Sequence, residues 1–422
     1  MAFFAPFQQR YPGVASILRN GALLTATHWT EAGLRGLYAL LIARWLGPEL
    51  YGVWSFATTS YVFAVMLTGF GLETLIPLRL GRDRASGAFL GTTFLLRLGL
   101  VVFAALTMAL YALTVEGHAL SRLALLIALP ALIGRGLVHW SRSAFLGLER
   151  NHTAFGLAAA LRVLEVCAGL VSLWLGAGVF TLLVIHAVSW LAEAALSLPA
   201  LSRQVAIRLH IDRAELRTVL KQGAVLALAA TSVAVLAAMP LILTRYVTDN
   251  LKIVGQIGLA TQLATLAVMC VQGILAAALP VVGRASAKGD PRLRLYAIGV
   301  AFGAVAAFGI AIVAARAFGI PVIDSLLGVE FAPAGALLPL ALLVGGMTIL
   351  PVGFGQILVA QGRRWPGMVA GWSGALILLL ALPPMVRASG ASGALIAAAL
   401  GWSVRAVILI GCALVPMSAS DR

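Results

Sequence analysis

The chain carries twelve long apolar runs joined by short loops, near residues 22–43, 53–78, 88–113, 123–143, 154–175, 180–201, 224–244, 257–282, 295–317, 334–360, 368–386 and 394–415. A helix needs about 20 predominantly apolar residues to cross a bilayer. Only helices and closed barrels satisfy every backbone group in lipid. The sequence therefore predicts an all-α, polytopic membrane protein with twelve transmembrane helices. Composition agrees: 61% of the 422 residues are apolar and 11% are charged, against about 25% charged in soluble domains. A soluble enzyme, a nucleic-acid-binding domain and a disordered chain are excluded. Prolines inside the runs (Pro77, Pro130, Pro240, Pro280, Pro339, Pro351) read as kinks that neighbouring helices can tolerate.

The net charge is +15, from 30 basic and 15 acidic residues. In a membrane protein such an excess reflects the bias of Lys and Arg towards cytoplasmic loops. With the N-terminus inside, 19 basic residues fall in cytoplasmic loops and 6 outside. This places both termini in the cytoplasm. Only Lys221, Lys252 and Lys288 are lysines, which fits genomic base composition. The first twenty residues show no cleavable signal pattern. Cys167, Cys270 and Cys412 sit in apolar runs at no metal-ligand spacing and read as free, buried, structural thiols.

The two halves resemble each other. Ala43-Arg44-Trp45, then Gly52, Ala57, Thr58 and Pro77, align with Thr244-Arg245-Tyr246, then Gly255, Ala260, Thr261 and Pro280. From Gly52 to Pro77 the offset is a constant 203. Six spans per half give a parallel repeat with a pseudo-twofold along the membrane normal. The expected organisation is a six-helix lobe over 1–202, a basic cytoplasmic linker over 203–221 and a second six-helix lobe over 222–422. In the linker, Val205, Leu209, Leu216 and Leu220 fall near helical spacing, so it reads either as an interfacial helix on the inner leaflet or as a solvated connection.

Nine ionisable residues lie within the spans: Arg35, Arg97, Arg135, Arg162 and Arg405, with Glu31, Glu73, Glu165 and Glu193. Each costs roughly 2.5–3.5 kcal/mol at a helix centre, so they face a protein interior or a wet cavity. His28, Glu31, Arg35 and Tyr38 share a face of the first span. Arg135, His139 and Arg142 share one of the fourth, and His186, Ser189, Trp190, Glu193 and Ser197 one of the sixth. Glu31 with Arg35, and Arg162 with Glu165, can pair as buried ions. The Arg135, His139 and Arg142 stripe has no acid on its own helix, and arginine's planar fork suits phosphate. A substrate cradle of Arg35, Arg97, Arg135, His139, Arg142 and Arg162 follows. His28, Glu31, Glu73, Glu165 and Glu193 stand as ion-coupling or ion-pairing groups. No P-loop, G-x-S-x-G or H-E-x-x-H sequence occurs, and no metal or cofactor site is expected.

Ala43-Arg44-Trp45-Leu46-Gly47-Pro48-Glu49-Leu50-Tyr51-Gly52 resembles the segment after the first helix of Wzx-type polysaccharide flippases. These belong to the multidrug/oligosaccharidyl-lipid/polysaccharide exporter superfamily. Gly69-Phe70-Gly71-Leu72-Glu73 resembles the end of their second helix, and Leu279-Pro280-Val281-Val282-Gly283-Arg284 the end of their eighth. The resemblance implies an inner-membrane carrier, not an enzyme, for an undecaprenyl-pyrophosphate-linked oligosaccharide in O-antigen or exopolysaccharide synthesis. It implies two lobes around a central cavity working by alternating access. The partners would be the lipid-linked substrate, membrane lipids and other polysaccharide assembly proteins, with no nucleic acid. Where the first, second, seventh and eighth helices line such a cavity, spans 7 and 8 offer here only Gln256, Thr261, Gln262 and Gln272. Energy would come from the membrane potential, about 2.3 kcal/mol per charge per 100 mV, or from ion exchange. The alternatives are a cation-coupled multidrug exporter of the same superfamily, which calls for an acid-dominated cavity, and a membrane glycan polymerase or glycosyltransferase, which calls for a large catalytic loop.

Overall fold

The computed structural model describes residues 12–82, 87–287, 292–363 and 365–415; the side chains of 12–32, 35, 82, 273–274, 276–287, 292 and 360 lie outside the description. Among the described residues twelve α-helices follow one another. They are α1 (Pro12–Leu67), α2 (Leu72–Arg82), α3 (Gly87–Thr114), α4 (Ala119–Gly147), α5 (Asn151–Trp174), α6 (Val179–Ser202), α7 (Arg213–Thr248), α8 (Leu251–Ala287), α9 (Arg292–Leu327), α10 (Ala332–Ile349), α11 (Val352–Ala360) and α12 (Trp365–Leu414). Among the described residues there is no strand.

Ten helical stretches among the described residues are long and apolar enough to cross a membrane. The first and the last of them belong to helices that cross twice. The 56 residues of α1 would run roughly 84 Å if straight, far beyond the roughly 30 Å hydrocarbon core. The helix instead bends at Gly47, whose φ of 72° and ψ of 171° suit a residue without Cβ, and Pro48 opens the second leg. The 50-residue α12 bends likewise at Ser389 and Gly390. Counting each leg gives the twelve crossings expected from the sequence. The second and tenth crossings are interrupted. Between α1 and α2 the chain turns over 68–71 with Phe70 and Gly71 at positive φ. Between α10 and α11 it turns at Leu350 and Pro351. Pro77, Pro130, Pro240 and Pro339 all sit inside helices that continue through them.

The linker is in two parts, since 213–221 form the start of α7. Its first part has no helix over 203–212 and lies along the start of α3. Arg208 N donates to Gly87 O at 3.2 Å, Thr92 Oγ1 to His210 O at 3.2 Å, and Asp212 N to Thr92 Oγ1 at 3.0 Å. Asp212 then caps α7, accepting from the backbone N–H of Ala214 and Glu215. This end of the bundle is called the linker end. The opposite end carries Gly47, the 115–118 loop, Asp249 and Asn250, and the 3-10 turn Val329–Phe331.

The halves meet at that far end through a reciprocal contact. A Cβ on Gly52 would collide with the carbonyl oxygen of Leu251, and one on Gly255 with that of Pro48. Residues 48 and 251 stand 203 apart, as do 52 and 255, so each residue touches its partner's equivalent, as a twofold axis requires. The side chains follow the same rule. Thr58 Oγ1 bonds back to the carbonyls of Trp54 and Ser55, and Thr261 Oγ1 to those of Ile257 and Gly258.

Burial follows helix position. Half of the most apolar window of α4 is buried, against 17% of that of α9, whose Phe302, Val305, Ile310, Val313 and Phe318 are exposed. In a bilayer that face meets lipid. The expectation of three buried thiols is corrected. Cys167 and Cys270 are exposed and Cys412 is partly so. Hydropathy does not separate a lipid-facing position from a core one, because both are apolar.

Candidate functional site

The first half collects its charges around one indole. Trp190 of α6 is 1% exposed. The guanidinium carbons of Arg162, Arg135 and Arg142 lie 4.1, 4.8 and 5.8 Å from its ring centroids, within the range of cation–π attraction. Gly134 lets α4 approach α6 here, with the Trp190 carbonyl carbon 2.6 Å from where a Cβ would stand.

The α4 stripe borrows its acids from other helices. Arg142 donates to Glu193 Oε1 of α6 at 2.6 and 3.0 Å. His139 Nδ1 is 3.2 Å from Glu73 Oε1 of α2. Arg97 of α3 is 3.9 Å from the same carboxylate and donates its Nε to Gly136 O at 2.9 Å. Arg162 sits between two acids, Glu165 at 2.5 Å and Glu193 at 3.2 Å. Arg162 is thus paired with Glu165, and two members of a stripe whose own helix has no acid are paired with acids from other helices.

Arg135 differs. Among the described residues it makes no salt bridge; it donates to Tyr61 Oη at 3.2 Å and to His139 Nε2 at 3.5 Å. Within the described cluster, four arginines (Arg97, Arg135, Arg142, Arg162) meet three carboxylates (Glu73, Glu165, Glu193), which leaves one positive charge over.

Beside this cluster lies a cavity of about 720 Å³ between the halves. From the first half it is lined by Tyr38, Trp54, Tyr61, Arg135, Arg162, Glu165 and His186; from the second by Thr261, Gln262, Thr265, Gln272, Thr348 and Trp402, among others. Of the predicted cradle, Arg135 and Arg162 reach this wall, whereas Arg97, His139 and Arg142 stand behind it. Of the predicted ion groups Glu165 lines it, and Glu73 and Glu193 do not. The side chains of His28, Glu31 and Arg35 lie outside the described residues.

Spacing grouped His186 with Trp190 and Glu193 but did not reveal its role. Its Nδ1 is 2.5 Å from Glu165 Oε1, and its Nε2 is 2.5 Å from Tyr61 Oη and 3.2 Å from Trp190 Nε1. The indole N–H can only donate, so Nε2 accepts and Nδ1 carries the hydrogen towards Glu165. A continuous path runs Arg135, Tyr61, His186, Glu165, Arg162, Glu193, Arg142. Among the described residues the Tyr38 hydroxyl and the Arg162 Nε are buried without a hydrogen-bond partner. In the second half, Arg405 packs behind the wall, 5.3 Å from the Trp402 ring centroid.

The sequence model of the family described as "Polysaccharide biosynthesis protein" matches residues 17–286. No curated protein matches the sequence. Among solved structures, the chain resembles the inward-facing conformation of a multidrug resistance MATE family transporter of the MOP superfamily (TM-score 0.72, 17% identity, 91% of this chain and 93% of that one). It also resembles the eukaryotic MATE transporter AtDTX14 (0.71, 13%, 96% and 98%) and the lipid II flippase MurJ in an inward closed conformation (0.71, 13%, 93% and 87%).

Proposed function

Since the chain belongs to the polysaccharide biosynthesis protein family, we propose that it flips an undecaprenyl-pyrophosphate-linked oligosaccharide across the bacterial inner membrane, for O-antigen or exopolysaccharide assembly. It works as a carrier, with the lobes 1–202 and 222–422 rocking about the Gly52–Gly255 contact and the linker and both termini in the cytoplasm. The observation that carries this reading is Arg135. It is a permanent cation at the wall of the cavity, held by Tyr61, His139 and the Trp190 ring rather than by a carboxylate. A diphosphate brings the charge that Arg135 lacks, and Arg162 and Tyr38 carry buried donors left open beside it. Arg97, His139 and Arg142 hold the wall from behind. The neutral amides of Gln262 and Gln272 face the opposite side, where a glycan would lie.

Cation export has one observation in its favour, Glu165 at the wall, but that carboxylate is already held by Arg162 and His186. Other assembly proteins would supply and consume the lipid-linked unit.

The test is translocation of a fluorescent lipid-linked diphosphate oligosaccharide in proteoliposomes. Arg135→Ala should slow it about ten- to a hundredfold, the weight of a charge-assisted hydrogen bond, and Arg135→Lys should restore part of the rate. Wild-type translocation by Arg135→Ala at normal protein yield refutes the reading.

A further inference from the structure

Two arginines tie the halves together at the far end. Arg44, at the end of the first leg of α1, donates to the Leu326 carbonyl at the end of α9. Arg245, at the end of α7, reaches Glu116 Oε1 in the loop between α3 and α4 at 3.2 Å. Arg44 and Arg245 occupy matching places in the repeat, within Ala43-Arg44-Trp45 and Thr244-Arg245-Tyr246. Helices α3 and α9 bring the third crossing of each half to this end. Each arginine therefore runs from the first crossing of its own half to the end of the third crossing of the other. Between the two lies the Gly52–Gly255 contact.

The second tie is much the heavier. The Glu116 side chain is 1% exposed and that of Arg245 is 3% exposed. Tyr246 Oη donates to Glu116 Oε2 at 2.7 Å, His118 N donates to Glu116 Oε1 at 2.9 Å, and Arg122 donates twice to the Glu116 carbonyl at 3.1 and 2.9 Å. Tyr111 of α3 bonds to the Tyr246 hydroxyl, and Arg245 also bonds to Asp249. A buried pair of this kind is costly to break in a dry interior, because each partner would be left as an uncompensated charge. Here it lies at the end of the bundle beside the exposed Asp249. Separation of the halves would let water take over both charges, so the tie is strong when shut and can still open.

We propose that the Arg245–Glu116 ion pair, seconded by Arg44 on the Leu326 carbonyl, is a latch that holds the cavity shut at the far end over the Gly52–Gly255 contact, and that it parts whenever the cavity opens to that side. This rests on the alternating-access reading above, but not on the identity of the cargo.

The experiment uses the full chain in sealed proteoliposomes, with Cys167, Cys270 and Cys412 replaced by Ala and a reporter Thr261→Cys on the cavity wall. A second reporter, Val329→Cys at the exposed far end, shows which molecules present that end outward. A membrane-impermeant maleimide is added without substrate. Glu116→Gln should raise the Thr261→Cys labelling rate roughly tenfold, since minor conformations of this kind are populated at about 0.1–10%. Arg44→Ala should raise it less. Gly156→Ala, at a position with nothing within 4 Å of the added methyl, should leave it unchanged. Unchanged labelling in Glu116→Gln overturns the latch; should that variant not fold, unchanged labelling in Arg44→Ala overturns it. Increased labelling in a protein that moves no lipid-linked oligosaccharide keeps the latch and refutes the cargo.

Discussion

Gly134 of α4 presses against the backbone of Trp190 in α6, leaving 2.6 Å between a virtual Cβ and the Trp190 carbonyl carbon. The ring that three guanidinium groups face is thus positioned by a missing side chain one helix away. A methyl group there cannot be absorbed by a side-chain rotation, because the obstacle is backbone. Gly134→Ala should destabilise the protein by about 1–3 kcal/mol, the range for overpacking. Gly156→Ala meets nothing and should gain up to about 1 kcal/mol from helix propensity. Thermal unfolding in detergent reads both; equal melting of the two variants contradicts the packing argument.

Glu193 is the joint of the ion network, with one oxygen on Arg142 and the other on Arg162. Its neutralisation leaves two buried or half-buried cations short of charge. Glu193→Gln should cost about 3–5 kcal/mol, as when one partner of a buried pair is removed. Glu193→Gln with Arg142→Gln should recover part of that loss, because one surplus charge leaves with its partner. A double variant that melts below the single one contradicts the assignment.

Trp190 offers its face to Arg135, Arg142 and Arg162. Trp190→Phe keeps a weaker aromatic face and Trp190→Leu keeps none. With roughly 0.5–2 kcal/mol per cation–π contact, the leucine variant should be the less stable of the two and should translocate more slowly. Translocation in proteoliposomes and melting in detergent should rank the pair alike, and the opposite order on both measures would leave the stacking without energetic weight.

The crossings were readable because length and apolarity decide them, whatever packs beside them. The repeat was readable too: the constant offset through Gly52 and Gly255 becomes a contact across the twofold axis. Periodicity also placed Arg135, His139 and Arg142 on one face. It was silent on what that face meets, because a helix's own spacing says nothing of its neighbour. Glu73 and Glu193 come from the second and sixth crossings to meet the fourth. The same limit hid His186 as the link between Tyr61 and Glu165, and hid the exposed position of Cys167 and Cys270. The break at 68–71 was equally hidden, since its counterpart over 271–274 remains helical; two stretches related by the repeat take different backbones.

Thr58 and Thr261 line the cavity from equivalent places, yet their hydroxyls are spent on their own helices, 2.7 and 2.6 Å from the carbonyls of Trp54 and Ile257. Gln262 and Gln272 line the same cavity, and among the described residues their amides make no hydrogen bond. A carried glycan would therefore bond to the amides and pass over the threonine methyls. Thr58→Val and Thr261→Val should leave translocation within about twofold of the parent, while Gln262→Leu and Gln272→Leu should each lower it about two- to tenfold, the weight of one neutral hydrogen bond. The competing expectation, that equivalent threonines grip the cargo symmetrically, predicts the reverse order, and one set of initial rates with the lipid-linked oligosaccharide decides between them.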